Sequence, residues 1–179
     1  TEYSTSFGGT PLVPLRFVGR AGARRTSVEI WETKNRLFPD SPSSVVRMLA
    51  TFNRPTKLWV GTMDLRIKRS THEEFTCRQD LDALTRAAPD LDASRVVHVS
   101  GASLLPQYRG LGIGTALYVA SAALAWNEGL ALAADACFMS ATSDDARRVW
   151  RSREFRKHVL VGPSGLVGVY RPAAGKRAA

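Results

Sequence analysis

A chain of 179 residues with 44% apolar and 23% charged residues is the size of one ordinary domain and apolar enough to build a core. Those values exclude a disordered chain and a coiled coil, and two distant cysteines, Cys77 and Cys137, make neither a disulfide framework nor a paired metal motif. The net charge of +9 comes from 20 Arg and 5 Lys against 16 acids, and points to an anionic partner.

Residues 1–10 are polar and rich in Gly, Ser and Thr, and read as a loose lead-in. Residues 11–18 alternate as a strand does. Residues 26–38 are ambiguous, with Ile30, Trp31, Lys34, Leu37 and Phe38 loosely on one helix face. Ser41-Pro42 looks like a helix start, and Val45, Met48, Leu49 and Phe52 follow at helical spacing before Asn53-Arg54-Pro55 stops it. Residues 58–67 read as a strand bent at Gly61. Residues 69–94 are polar, with a helix over 79–88, and have the character of an insertion. Residues 96–105 are strand-like. A glycine loop over 110–114 leads into an apolar helix over 115–127, with Ile113, Leu117, Ala120 and Leu124 on one face. Gly129 suits the left-handed position after that helix. Residues 130–139 read as a buried strand. Thr142 or Ser143 caps a further helix, whose first turn holds Asp144 and Asp145 and whose face is Ala146, Val149, Trp150 and Arg153. Residues 159–161 and 166–170, joined by Gly162-Pro163-Ser164-Gly165, form a closing hairpin, and 171–179 are a small basic tail. Alternating strands and helices argue for one α/β or α+β domain over 11–170.

The longest apolar stretch, near 111–126, falls short of a membrane span, and no basic-then-apolar signal opens the chain, so a cytoplasmic protein is the default and no membrane partner is expected. Both cysteines then read as buried thiols in a reducing compartment, and an acyl intermediate on Cys137 would need it exposed and activated. The basic residues are not evenly spread: residues 143–179 carry +6 and the other 142 carry +3. The face bearing Arg147, Arg148, Arg151, Arg153, Arg156 and Lys157 suits nucleic acid, an acidic protein or a phosphorylated ligand.

The strongest feature is Arg109-Gly110-Leu111-Gly112-Ile113-Gly114. Glycines at alternate positions between a strand and a helix remove side chains where a ligand meets backbone. Successive amides and the helix dipole then favour an anion. A dinucleotide fingerprint needs glycines at relative positions one, three and six, and the sixth here is Thr115. A Walker loop needs a Lys-Ser/Thr ending that is absent. The bland alternative is a turn that lets helix and sheet pack closely.

Pro106-Gln107-Tyr108-Arg109-Gly110-Leu111-Gly112-Ile113-Gly114-Thr115-Ala116-Leu117 resembles the acetyl-CoA motif of the GCN5-related N-acetyltransferase (GNAT) superfamily, Arg/Gln-x-x-Gly-x-Gly/Ala, at Arg109, Gly112 and Gly114. Downstream, Ser143-Asp144-Asp145-Ala146 through Trp150 to Glu154-Phe155 is similar to the family's Asn-x-x-Ala-x-x-x-Tyr-x-x-x-Gly-Phe. The resemblance implies a mixed, mostly antiparallel central sheet flanked by helices, with splayed central strands and acetyl-CoA in the gap. It implies a cofactor site of Leu104, Leu105, Arg109, Gly110, Leu111, Gly112, Ile113, Gly114, Thr115, Ser143 and Trp150. Loop amides would hold the pyrophosphate, and backbone near Leu104 and Leu105 would hold the pantetheine and polarise the thioester.

The implied activity is transfer of an acetyl group to a primary amine, borne by a small molecule, a peptide or a charged RNA. Trp150 stands where the family has a Tyr general acid; an indole N–H donates a hydrogen bond but has no proton to give a thiolate. His98, on the strand entering the motif, is the candidate base. His72 with Glu73 and Glu74, and His158, read as solvated. No metal spacing is present. The competing function is a non-catalytic GNAT-like protein acting through acyl-CoA binding, or as a partner or nucleic-acid-binding component of a homodimer or larger assembly.

Overall fold

The structure is a computed structural model that describes residues 3–7, 10–13, 28–33, 45–52, 58–110, 112–138 and 141–171. It describes side chains from residue 61 on, Gln107 excepted. The strands are β1 (Tyr3–Phe7), β2 (Thr10–Val13), β3 (Val28–Thr33), β4 (Val45–Phe52), β5 (Leu58–Arg69), β6 (Arg95–Leu104), β7 (Ala131–Ala133), β8 (Val159–Val161) and β9 (Val167–Tyr170). The helices are α1 (Arg78–Ala87), α2 (Ile113–Asn127), α3 (Asp144–Arg151) and α4 (Arg153–His158). The strands pair in the order β2-β1-β3-β4-β5-β6-β7-β9-β8. The β1–β3 and β6–β7 pairs are parallel and the other described pairs antiparallel. The fold is α+β, an open and mostly antiparallel sheet flanked by helices.

Two stretches correct the helical expectation. Val28–Thr33 and Val45–Phe52 are strands, not helices. Val46, Met48, Ala50 and Phe52 also satisfy a period of two, and neighbouring strands on both sides supply ladder partners that an isolated helix could not match. The expected start at Ser41-Pro42 lies outside the described residues, as do 14–18 and 172–179. Tyr3–Phe7, within the expected loose lead-in, is a strand paired with β2 and β3. Residues 58–69 form the expected strand, with a register shift that leaves Val60 unpaired beside Gly61.

The sheet separates two cores. On one side α2 packs with Trp150 and Phe155 over Met63, Leu65, Val97, Val99 and Leu132. Alanines let α2 sit deep, so it is buried well beyond its single expected face. On the other side Leu81 and Leu84 of α1 pack with Phe75, Val96, Ala131, Ala133 and Phe138. The expected strand over 130–139 shortens to β7, and a 3₁₀ turn, Asp135–Phe138, follows. Its pairing runs out where the β8–β9 hairpin turns: the Ala134 N–H goes to the Leu166 carbonyl at 2.7 Å. The expected single helix after Ser143 breaks in two. Ser143 caps α3 by accepting from Ala146 N–H at 3.2 Å, and Ser152 caps α4 by accepting from Phe155 N–H at 3.2 Å. Gly129 takes φ +72° after α2, as expected.

The 69–94 segment is tied down. Ser70 donates to the Ala93 carbonyl at 2.6 Å, closing its base. Asp80 accepts from the backbone N–H of Ser164 at 2.9 Å and from its hydroxyl. Cys77 and Cys137 form a disulfide across 60 residues of sequence, which corrects the reading of two free thiols. Sequence distance hid the contact: the Thr76 N–H bonds the Cys137 carbonyl at 2.9 Å, so the two chain segments run side by side. A bonded, fully buried Cys137 cannot carry an acyl group. The bond also removes the basis for assigning a reducing compartment.

Candidate functional site

The site begins where β6 loses a partner. Val96, Val97 and His98 pair with Ala131, Leu132 and Ala133, and β6 continues to Leu104 with only β5 beside it among the described residues. Ser100 is the extra residue of a bulge between the Asp64–Gly101 and Leu65–Val99 pairs. Beyond it Gly101, Ala102 and Ser103 are exposed. Leu105 is the large apolar side chain left exposed among the described residues, at 42%.

A 3₁₀ turn, Pro106–Tyr108, carries the chain from that strand end to the glycines. Gly110 and Gly112 take φ +74° and +81°, and Gly112 is the residue before α2. Among the described residues no side chain caps this helix, and no acid lies in its first turn, so the amides at Ile113, Gly114 and Thr115 open the helix dipole without a described side-chain acceptor. A Cβ built on Gly110 or on Gly114 meets nothing within 4 Å. Among the described residues, close packing of helix on sheet therefore does not demand glycine at either position, while the positive φ of Gly110 does favour it there. Gly114 lies within α2, one residue inside the expected loop end, and needs no special φ. Arg109 Nε donates to the Leu104 carbonyl at 3.3 Å, which folds its side chain back over the strand end. Ile113 is buried and Thr115 half-buried; Leu111 lies outside the described residues.

His98 and Trp150 lie on opposite sides of the sheet. His98 is 4% exposed, and its Nε2 lies 2.5 Å from Asp135 Oδ1. Its ring packs on Phe138 at 4.4 Å, and Lys68 Nζ lies 4.5 Å from the same Phe138 ring. Burial holds the imidazole below its usual pKa, Asp135 opposes that, and Lys68 and Arg66 add to it. A neutral imidazole donates Nε2–H to the carboxylate. Nδ1 is then a lone pair with no hydrogen-bond partner among the described residues.

Trp150 is 1% exposed and packs on Tyr118 at 6.0 Å and Phe155 at 5.1 Å. Its Cζ3 is 3.4 Å from where a Cβ on Gly168 would sit. These neighbours belong to α2, α4 and β9, and not to β6. Its indole N–H also lacks a partner among the described residues. Tyr118 stays protonated: burial and then the Asp135 charge push its pKa up to about 12. Ser143 spends its hydroxyl on the α3 cap. His72, Glu73 and Glu74 face solvent, with His72 Nδ1 accepting from the Glu74 N–H at 3.2 Å, and His158 faces Glu154 at 3.8 Å. Among the described residues no cluster of His, Cys, Asp and Glu could hold a metal, and no helix is long and apolar enough to cross a membrane.

Sequence reasoning missed Asp135, because 130–139 read as a buried strand; an acid in such a run was the available signal. It also missed a cavity of about 130 Å³ beside Trp150, lined by Arg147, Arg151, Arg156 and the turn 163–166. No protein-family model, curated protein or solved structure matches this chain.

Proposed function

We propose that this chain is an N-acetyltransferase that moves an acetyl group from acetyl-CoA to a primary amine. The observation that carries the reading is that, among the described residues, two glycines stand in open space around an uncapped helix start, beside a strand edge without a partner. The amides of Ile113, Gly114 and Thr115 are the donors for the pyrophosphate, with Gly110 and Gly112 keeping the approach clear. The unpaired edge of β6 up to Leu104, with exposed Leu105 next to it, suits an extended pantetheine arm. Bound there, acetyl-CoA supplies the activated acyl group.

His98 serves as the base. Its imidazole is neutral at physiological pH, Asp135 fixes the tautomer, and Nδ1 is the lone pair that takes the ammonium proton, through water given how deep the ring lies. Trp150 contributes packing only, and the coenzyme A thiolate leaves without a dedicated acid. The acceptor remains an amine of any carrier.

A second reading has its own support: Trp150 cannot protonate a thiolate, and His98 is nearly closed to solvent. It makes the chain an acyl-CoA-binding protein without turnover. Calorimetry with acetyl-CoA, followed by thiol release over a panel of amines, separates the two. The decisive variant is Gly114→Asp. Gly112→Asp would add strain at φ +81°, whereas an acid in the first turn of α2 suits the helix dipole. Acetyl-CoA binding lost in a Gly114→Asp protein of unchanged stability is the expected result. Unchanged affinity would overturn the cofactor site. Binding without turnover on any amine favours the second reading.

A further inference from the structure

The cavity beside Trp150 is built from three separate elements: α3 supplies Arg147 and Arg151, α4 supplies Arg156, and the β8–β9 turn over 163–166 closes it. Among the described residues no carboxylate lines it. Arg147 and Arg151 are one helical turn apart, an arrangement of like charges that costs stability unless an anion lies between them. Their neighbours on α3 and α4 are offset locally: Arg148 pairs with Asp145 and Lys157 with Glu154. Among the described residues, Arg147, Arg151 and Arg156 pair with no acid. Asp80, which reaches the same turn, spends its carboxylate on Ser164.

Two of the three arginines are held by their Nε atoms. Arg156 Nε donates to the Trp150 carbonyl at 3.1 Å and Arg147 Nε to the Thr142 carbonyl at 3.2 Å. Both bonds orient the guanidinium and leave its terminal nitrogens to a ligand. Three guanidinium groups around one small cavity bring more positive charge and more donors than a single carboxylate, with one negative charge and about four acceptor sites, can match, and they suit a tetrahedral dianion better. The volume is well below the roughly 300–1,000 Å³ of sites for drug-sized ligands. It has room for a phosphate group with a short substituent.

We propose that Arg147, Arg151 and Arg156 form a binding site for a phosphate group, free or carried as a small monoester, separate from the glycine loop. The buried indole of Trp150 lines this cavity and reports on its filling.

The test is an NMR titration that follows the Trp150 indole N–H, identified by its loss in Trp150→Phe. Inorganic phosphate, glycerol phosphate, acetate and a short RNA oligonucleotide are compared at one ionic strength set with chloride. Phosphate and glycerol phosphate should move the resonance saturably, with acetate much weaker. Tighter binding of glycerol phosphate than of phosphate assigns the ligand as a monoester; equal binding assigns free phosphate. Arg147→Gln with Arg151→Gln should weaken the site at least about tenfold. Both side chains are exposed, so the fold should survive, and Arg151→Gln alone provides the same reading if it does not. Arg148→Gln, on the same helix outside the cavity, should change nothing. Gly114→Asp should also leave the phosphate titration intact, which keeps this site distinct from the cofactor site. A shift linear in every anion, a shift unaltered by the double substitution, or a response to RNA alone would overturn the proposal.

Discussion

The two faces of the sheet are built on different chemistry. The α1 face holds the titratable and covalent groups: His98 against Asp135, Lys68 beside Phe138, and the Cys77–Cys137 disulfide. The α2 face holds rings and small side chains, Trp150, Tyr118, Phe155 and a run of alanines, and its helices carry the glycine-lined α2 start and the arginine cavity. Each face buries one ring nitrogen with no partner among the described residues, His98 Nδ1 on one and Trp150 Nε1 on the other. They are not equivalent. An imidazole lone pair can take a proton and an indole N–H cannot give one at working pH, so the proposed proton transfer falls to the α1 face and the proposed ligand sites to the α2 face. β6 serves both, with Val97 and Val99 on one side and Val96 and His98 on the other.

That division can be broken at four points. The largest effect should come from Trp150→Ala, which empties a fully buried site and should cost about 3–5 kcal/mol in denaturant unfolding. Trp150→Phe should cost far less, since it removes a buried donor that has no acceptor along with part of the ring. If Trp150→Phe instead abolishes turnover in a folded protein, the indole belongs to the chemistry and the division fails.

Opening the disulfide comes next. It closes a loop of 60 residues, and Cys77→Ala with Cys137→Ala should cost about 4 kcal/mol on the chain-entropy account. Hydrogen exchange should then rise first in α1 and the turn that carries Asp135, and little in α2. Equal loosening on both faces would show that the faces are not separate units.

The third effect is on rate. His98→Gln keeps a polar group of similar reach and removes the base; kcat with a responsive amine should fall about 10²-fold or more while acetyl-CoA affinity holds. A kcat that survives His98→Gln would take the base away from the α1 face.

The smallest effect is on pH dependence. Burial lowers the His98 pKa in the folded state, so the unfolded chain binds the proton first as pH falls. Stability should be complete above the ordinary imidazole value of about 6.5 and decline as pH drops below it. Other groups also titrate there, so the measurement is the difference in slope between the wild type and His98→Gln from pH 7 to pH 5. Identical slopes would mean that Asp135 offsets the burial in full.

Local signals carried the fold from residue 58 onward. The apolar run of β6, the caps at Ser143, the glycine after α2 and the closing hairpin all depend on neighbours in sequence, and each stands where its residues put it. The glycine turn into α2 was legible for the same reason, since a turn that opens a helix is made from consecutive residues. Val28–Thr33 and Val45–Phe52 were not, because their short apolar runs satisfy both helical and strand periods and only pairing with β4 and β5 decides between them. The same holds for the rest of the site. Asp135 lies 37 residues from His98, Cys137 lies 60 from Cys77, and the arginine cavity joins α3 and α4 to a hairpin turn. Contacts between residues so far apart depend on how the sheet brings its two faces together, and no local propensity encodes that.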